Sequence, residues 1–332
     1  MKKFTKLALA SSIAFSANAM AMQALDDTAM SATTGQDGIN IGIGISKVTI
    51  DKVYVHDNDG LAAGATYGYT GVNATTNPPT VTGTAATPIV GGTGAAGALA
   101  IDGITITANY NSILSTGNLM DLKIDSDAGT GADGAFLNIA AAVSGLVIDI
   151  GDISVAKSWG NATSGYTRDG IRRGVVDNSS NKILSGFSIT TGQLAANVQL
   201  GATPQGAMIL LDTTMEGGLT ISDLGILDNV GGGQVTLGKI QIADEESTDL
   251  GIEAKVSVTT DGLVITSVKD ATNHVGTDIY IQGINLGAAP TVALGARGTA
   301  RTGSIGDVEV QGLRTFYKVN GTEYAEIGRA HV

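Results

Sequence analysis

The spacing of branched apolar residues constrains this chain more than any other feature. Ile39, Ile41, Ile43 and Ile45 alternate strictly with Asn40, Gly42, Gly44 and Ser46. Successive side chains of a strand point to opposite faces, so the run predicts a strand with one greasy face and one nearly bare face. Bare glycine positions let another sheet or chain come very close. From Ile43 the series continues through Ile45, Val48, Ile50, Val53 and Val55, in steps of 2, 3, 2, 3 and 2. A step of three after a step of two requires a corner, or a bulge that resets the face. The same 2-3-2 phrase returns at Ile148, Ile150, Ile153, Val155 and at Leu219, Ile221, Leu224, Ile226. It returns again at Val235, Leu237, Ile240, Ile242 and at Ile279, Ile281, Ile284, Leu286, with a variant at Ile305, Val308, Val310, Leu313.

A second phrase is glycine followed by an apolar–x–apolar triplet. It begins at Gly103, Gly145, Gly186, Gly218 and Gly262, with steps of 42, 41, 32 and 44 residues. This is an imperfect repeat of about 40 residues, each holding a few short strands. Glycine makes up 47 of 332 residues without a G-x-y period, and aromatics are only 4%. No long stretch keeps apolar residues at helical spacing without glycines or β-branched residues breaking it. The expected fold is all-β: an irregular repeat β-solenoid or β-prism, with an elongated β-sandwich as the alternative.

Residues 1–21 read as a signal peptide. Lys2, Lys3 and Lys6 precede the apolar stretch from Leu7 to Ala17, and Ala19-Met20-Ala21 supplies small residues for cleavage. The apolar run is too short to span a bilayer, and no later run approaches the ~20 apolar residues a transmembrane helix needs. Loss of three lysines takes the net charge from −12 to −15. A chain this acidic is not expected to hold nucleic acid by neutralising phosphates. It has no cysteine, so burial and backbone pairing must hold it together outside the cell. Residues 22–60 carry the first strands. Residues 61–100, rich in Ala, Gly, Thr and Pro, read as a loop or insert. Residues 101–332 form the repeat-containing body.

Two places offer chemistry. Asp57 with Asp59, and Asp125 with Asp127, put two carboxylates at i and i+2 beside a glycine. That spacing suits a hard cation, so calcium is the one cofactor the residues suggest; ordinary polar turns use the same residues. Trp159, Tyr166, Arg168, Arg172 and Arg173 form a basic, partly aromatic island on an acidic chain. It suits an anionic sugar, a lipid headgroup or a protein partner. Catalytic motifs are missing. Ser154–Lys157 and Ser179–Lys182 match Ser-x-x-Lys without its companion motifs.

The order of Leu25 to Ser31, then Thr34 to Ile39, then the Ile39 to Ile45 strand resembles the FilA-type pilus system proteins and their exported relatives in Gram-negative bacteria. The match covers about 25 residues after the signal peptide. It implies a place in the envelope or at the cell surface, a link to a pilus or fibre, and partners among envelope or pilus-system proteins or further copies of the chain. It supplies no catalytic residue. On this reading Ile39, Ile41, Ile43 and Ile45 form an assembly strand that completes a neighbour's sheet. The expected function is that of a structural subunit or adhesin. A secreted carbohydrate- or calcium-binding module is the alternative, and a polysaccharide-active enzyme a more distant one.

Overall fold

The computed structural model describes residues 38–67, 71–73, 80–83, 87–88, 91–130, 134–159, 172–260, 262–267, 275–299, 301–314, 316–319, 322–325 and 328–331. The expected signal peptide and the family-like residues before Gly38 lie outside them. The described chain is all-β, with one 3₁₀ turn at Tyr110–Ser112 and two large antiparallel sheets.

The chain makes eight passes, and each crosses from one sheet to the other. The first pass is β1 (Ile39–Ile43) and β2 (Lys47–Asp57). Two small hairpins follow in the expected insert: β3 (Thr66–Tyr67) with β6 (Thr87–Pro88), and β4 (Gly71–Asn73) with β5 (Thr80–Gly83). The second pass is β7 (Gly97–Ala108) and β8 (Met120–Asp127). The third holds β9 (Phe136–Val143), β10 (Leu146–Ile150) and β11 (Ile153–Lys157). The fourth holds β12 (Asn181–Leu184), β13 (Phe187–Thr190) and β14 (Leu194–Gly201). The fifth is β15 (Ile209–Met215) and β16 (Leu219–Asp228). The sixth is β17 (Gly233–Asp244) and β18 (Leu250–Thr259), and the seventh β19 (Gly262–Ser267) and β20 (Thr277–Gly287). The eighth runs from β21 (Ser304–Leu313) through a hairpin of β22 (Phe316–Val319) and β23 (Thr322–Ala325) to β24 (Gly328–His331).

One sheet has the order β1-β8-β9-β14-β15-β18-β19-β24. The other runs β12-β11-β7-β10-β13-β16-β17-β20-β21, with β2 on the free side of β7. Because β10 with β11, and β12 with β13, are halves of single passes, its ten strands also make eight rows. Each pass therefore lies beside the pass made just before it and the one made just after.

The rows show why these residues make these sheets. Val48, Ile106, Ile148, Ile189, Ile221, Ile240, Ile281 and Val308 are paired in register right across the ten-stranded sheet. Ile39, Ile124, Ile139, Val198, Ile209, Val256 and Ile265 do the same across seven strands of the eight-stranded sheet. β-Branched side chains pack well against cross-strand neighbours on a pleated surface, and each such pair adds roughly 0.2–1 kcal/mol.

The steps of three mark a crease. In passes one to four the gaps 50/53, 101/104, 150/153 and 184/187 fall opposite one another. The crease shifts by one side-chain row at pass five, then stays aligned through 221/224, 237/240 and 281/284. Gly103 (φ 81°), Asp223 (φ 60°) and Gly283 (φ 69°) take left-handed backbone on it. The five glycine phrases do not mark one structural period. Gly103 and Gly186 sit on the crease, Gly145 and Gly218 lie where the chain enters the ten-stranded sheet, and Gly262 opens β19.

A second line joins the sheets. Residues 44–46, 144–145, 191–193 and 216–218 are whole connections between them, and all lie along one side. A two-residue link spans at most roughly 11 Å, so the strand ends meet there. The longer 109–119 connection seals this corner. Ser144, wholly buried, donates to the Asn118 carbonyl (2.7 Å) and accepts from the Leu114 amide (2.9 Å). Asn109 Nδ2 reaches the Thr191 carbonyl (2.9 Å).

The core is thin. Among the described residues the fully buried apolar side chains are five alanines and Met215, and the branched rows stay part-exposed. Gly103 isolates the backbone demand of the crease, because a Cβ there would meet nothing closer than 3.9 Å. Gly103→Ala should therefore destabilise the chain by about 1–2 kcal/mol and Gly103→Asn by less, read as shifts in the urea unfolding midpoint.

Candidate assembly surface

Each sheet ends on one open edge at the first pass and one at the eighth. Among the described residues β1 pairs with β8 alone, β2 with β7 alone, β21 with β20 alone and β24 with β19 alone. Branched residues stand exposed at both ends: Ile39 (64%) and Val55 (58%) on the first pass, Ile305 (66%) and Val308 (43%) on the eighth. Unpaired N–H and C=O groups beside exposed apolar side chains are a template for a further strand. Ile39, Ile41 and Ile43 lie on β1 as expected. Ile45 does not, because the chain rounds the corner at 44–46, and the strand stops at Ile43.

Beyond the crease, small and branched residues divide the two faces. Ala98, Ala100 and Ala156 are buried, while Val55 and Val155 beside them, and Ile226, Val235 and Leu286 in later passes, are exposed. A strap of residues 288–299 and 301–303 lies over the face that carries Ser222, Thr236 and Gln282. Gln282 Nε2 donates to the carbonyls of Gly295 (3.2 Å) and Ala296 (3.1 Å). The buried Arg301 donates through Nε to the Val292 carbonyl (2.7 Å), with Nη1 3.9 Å from Asp223. A cavity of about 590 Å³ remains between strap and sheet, bordered by Lys182, Ser222 and Thr236. Tyr280 donates to Asp307 (2.6 Å), and the Arg297 guanidinium lies 4.0 Å above the Tyr280 ring. That bond holds the Asp307 carboxyl below its usual value and raises the tyrosine.

Gly238 admits the strap, since a Cβ there would stand 2.9 Å from Arg301 Nη1 and from Leu294 Cδ1. Those atoms are side-chain ends that can shift, so the firmer test is Gln282→Ala, which removes both bonds from the sheet to the strap and should loosen the strap without unfolding the sheets. The expected result is faster proteolysis confined to the strap, mapped by mass spectrometry, with the far-UV circular dichroism unchanged.

The basic island is assembled only in part. Tyr166 and Arg168 lie outside the described residues. Arg172 is exposed. Arg173 donates through Nε to the Trp159 carbonyl (2.5 Å) and through Nη1 to Asn58 Oδ1 (2.6 Å). His56 Nδ1 shares a hydrogen bond with Ser158 Oγ (2.7 Å), and the Tyr54 ring lies 6.0 Å from its own. Sequence distance hid Tyr54, His56 and Asn58 from this cluster. The usable signal was topological: β2 and β11 flank the same strand, β7.

Burial, and then the Arg173 charge, push His56 below the ordinary imidazole value of 6.5. The folded chain thus binds that proton more weakly than the unfolded chain. Its contribution is intact above 6.5 and declines as pH falls through the lowered value. Asp57, Asp121, Asp228 and Asp307 are held below 3.8, so their contributions fade only at more acid pH. Melting temperature should fall between about pH 7 and pH 5, and His56→Gln should remove that fall while leaving the more acid transition in place.

The two aspartate pairs are not brought together. Asp57 and Asp59 end the first pass on the ten-stranded sheet, and Asp125 and Asp127 end β8 on the other. Asp57 Oδ1 accepts the amides of Asp59 (3.3 Å) and Gly60 (3.2 Å), and Asp127 Oδ1 that of Gly129 (2.6 Å). Asp125 lies 3.5 Å from Lys123. Among the described residues no three His, Asp or Glu side chains are grouped to hold a metal. Neither Ser-x-x-Lys tetrad pairs its hydroxyl with its amine. Ser154 is buried and Lys157 exposed, on opposite faces of β11. Ser179 Oγ bonds the Lys157 amide and the Val176 carbonyl, while Lys182 pairs with Asp152 (2.5 Å).

A trough of about 720 Å³ runs beside β1 on the eight-stranded sheet. Gly42, Ala140, Ala142 and Ala195 border it, with Asn40, Asn118, Asp121 and Lys123. Thr116 and Asn118 donate to Asp121 and hold its carboxyl low.

Residues 1–130 match the model of a family described as a family of unknown function (DUF6160). No curated protein matches the chain. No solved structure matches it either. No described helix is long and apolar enough to cross a membrane.

Proposed function

We propose that this chain is an exported structural protein of the cell surface, a subunit of a pilus or fibre or an adhesin, and that it performs no catalysis. The observation that carries this reading is that, among the described residues, both sheets have an open edge at each end of the molecule, with exposed branched residues on β1, β2 and β21. An enzyme needs a cleft with convergent reactive groups, whereas an assembling subunit needs edges and faces that stay unsatisfied until a partner arrives. The likeness of Leu25 to Ser31 and Thr34 to Ile39 to FilA-type pilus system proteins points the same way. Its partners on this reading are other envelope or pilus-system proteins and its own copies. We read the architecture as the elongated sandwich, because two antiparallel sheets joined along one corner favour it over a solenoid of parallel coils.

Negative-stain micrographs of the purified chain should show filaments or elongated particles, and deletion of the gene should strip corresponding structures from the cells. Compact single particles together with an unchanged cell surface would sink the proposal.

A further inference from the structure

We infer that a second copy of this chain docks head to tail, with the first pass of one copy laid against the eighth pass of the next, so that both sheets continue through the junction. The inference rests on the structural reading above and names its partner.

Polarity comes first. Odd passes run from the eight-stranded to the ten-stranded sheet, and even passes run back. With eight passes, the last runs opposite to the first. A first pass placed beside an eighth is therefore antiparallel to it, as at every junction inside the molecule. An odd number of passes would have forced a parallel pairing.

Register and charge agree. The branched row of the ten-stranded sheet starts at Val48 and ends at Val308. Setting Val48 of one copy opposite Val308 of the next places Lys47 opposite Glu309. Those two residues are also the ends of one internal row, which runs from Lys47 through Thr107, Val147 and Thr190 to Tyr280 and Glu309. None of the seven internal junctions of that row pairs two charged residues, so the one complementary charge pair falls at the junction between copies. β21 is regular only around Val308–Val310, with register shifts to either side, which confines the match to this stretch and to β24 against β1. The crease must step by one row at the junction, as it already does once between passes four and five. A contact of this kind joins unlike surfaces and does not close on itself, so it propagates as a filament.

The chain has no cysteine, which permits a direct test. Val48 and Val308 are seven strand spacings apart in one molecule, roughly 34 Å, so they cannot be bridged internally. Directly opposed positions in adjoining strands have Cβ atoms about 4.5–5.5 Å apart, within reach of a disulfide after small adjustment. The full chain carrying Val48→Cys and Val308→Cys should give a ladder of covalent multimers under mild oxidation, and each single variant dimers at most. Lys47→Glu and Glu309→Lys should each raise the assembly midpoint by roughly fivefold, and together restore it. Filaments in micrographs with no ladder from a folded double-cysteine chain would overturn this junction and leave the structural reading standing. Neither filaments nor a ladder would overturn both.

Discussion

Backbone pairing between neighbouring passes is the interaction on which everything else depends. A protein of this length ordinarily buries large aliphatic side chains completely, and among the described residues this one buries none beyond Met215. Its isoleucines instead touch one another sideways, along rows that run across the strands. A row of eight branched residues has seven such contacts, together worth a few kcal/mol, and the ladder hydrogen bonds set their spacing. Order along the rows and order in the backbone are therefore one property. The acidic charge and absent disulfides fit this design, because neither a deep core nor a covalent staple is being relied on.

The two ends of the stack are open but firmly held. At the first pass, Arg173 ties Asn58 to the Trp159 carbonyl, and His56 is bonded to Ser158, so the outer strand is anchored to pass three. At the eighth, Asp307 links β21 to Tyr280 and to the Gly283 amide (2.8 Å), while Arg314 pairs with Glu245. Rigid edges lose little conformational freedom when a strand is added, which strengthens association without enlarging the contact.

Much of this fold was legible in the sequence. Alternation at Ile39 to Ile43 marked a strand, and the 2-3-2 spacing marked the crease, because an extra residue leaves its trace in which positions are branched. The register of the rows was not legible, since pairing depends on turn lengths that no single strand records. The glycine phrases misled for a related reason: glycine is required at the crease, at the corner and at a hairpin alike, and the chain does not say which. Local motifs carried too little chemistry to define a site. The carboxylates of the Asp-x-Asp turns are engaged with their own loops or with Lys123. The residues that gather around Trp159 come from pass one, over a hundred positions earlier.

The order of the passes bears on how the molecule comes into being. Every pass pairs with the one made just before it, so each pass after the first finds one partner already made. A chain that emerges from its N-terminus can zip up strand by strand, each new pass pairing on the edge left by the last. Synthesis and folding then become a single vectorial process, whose final state presents the same kind of open edge as every state before it.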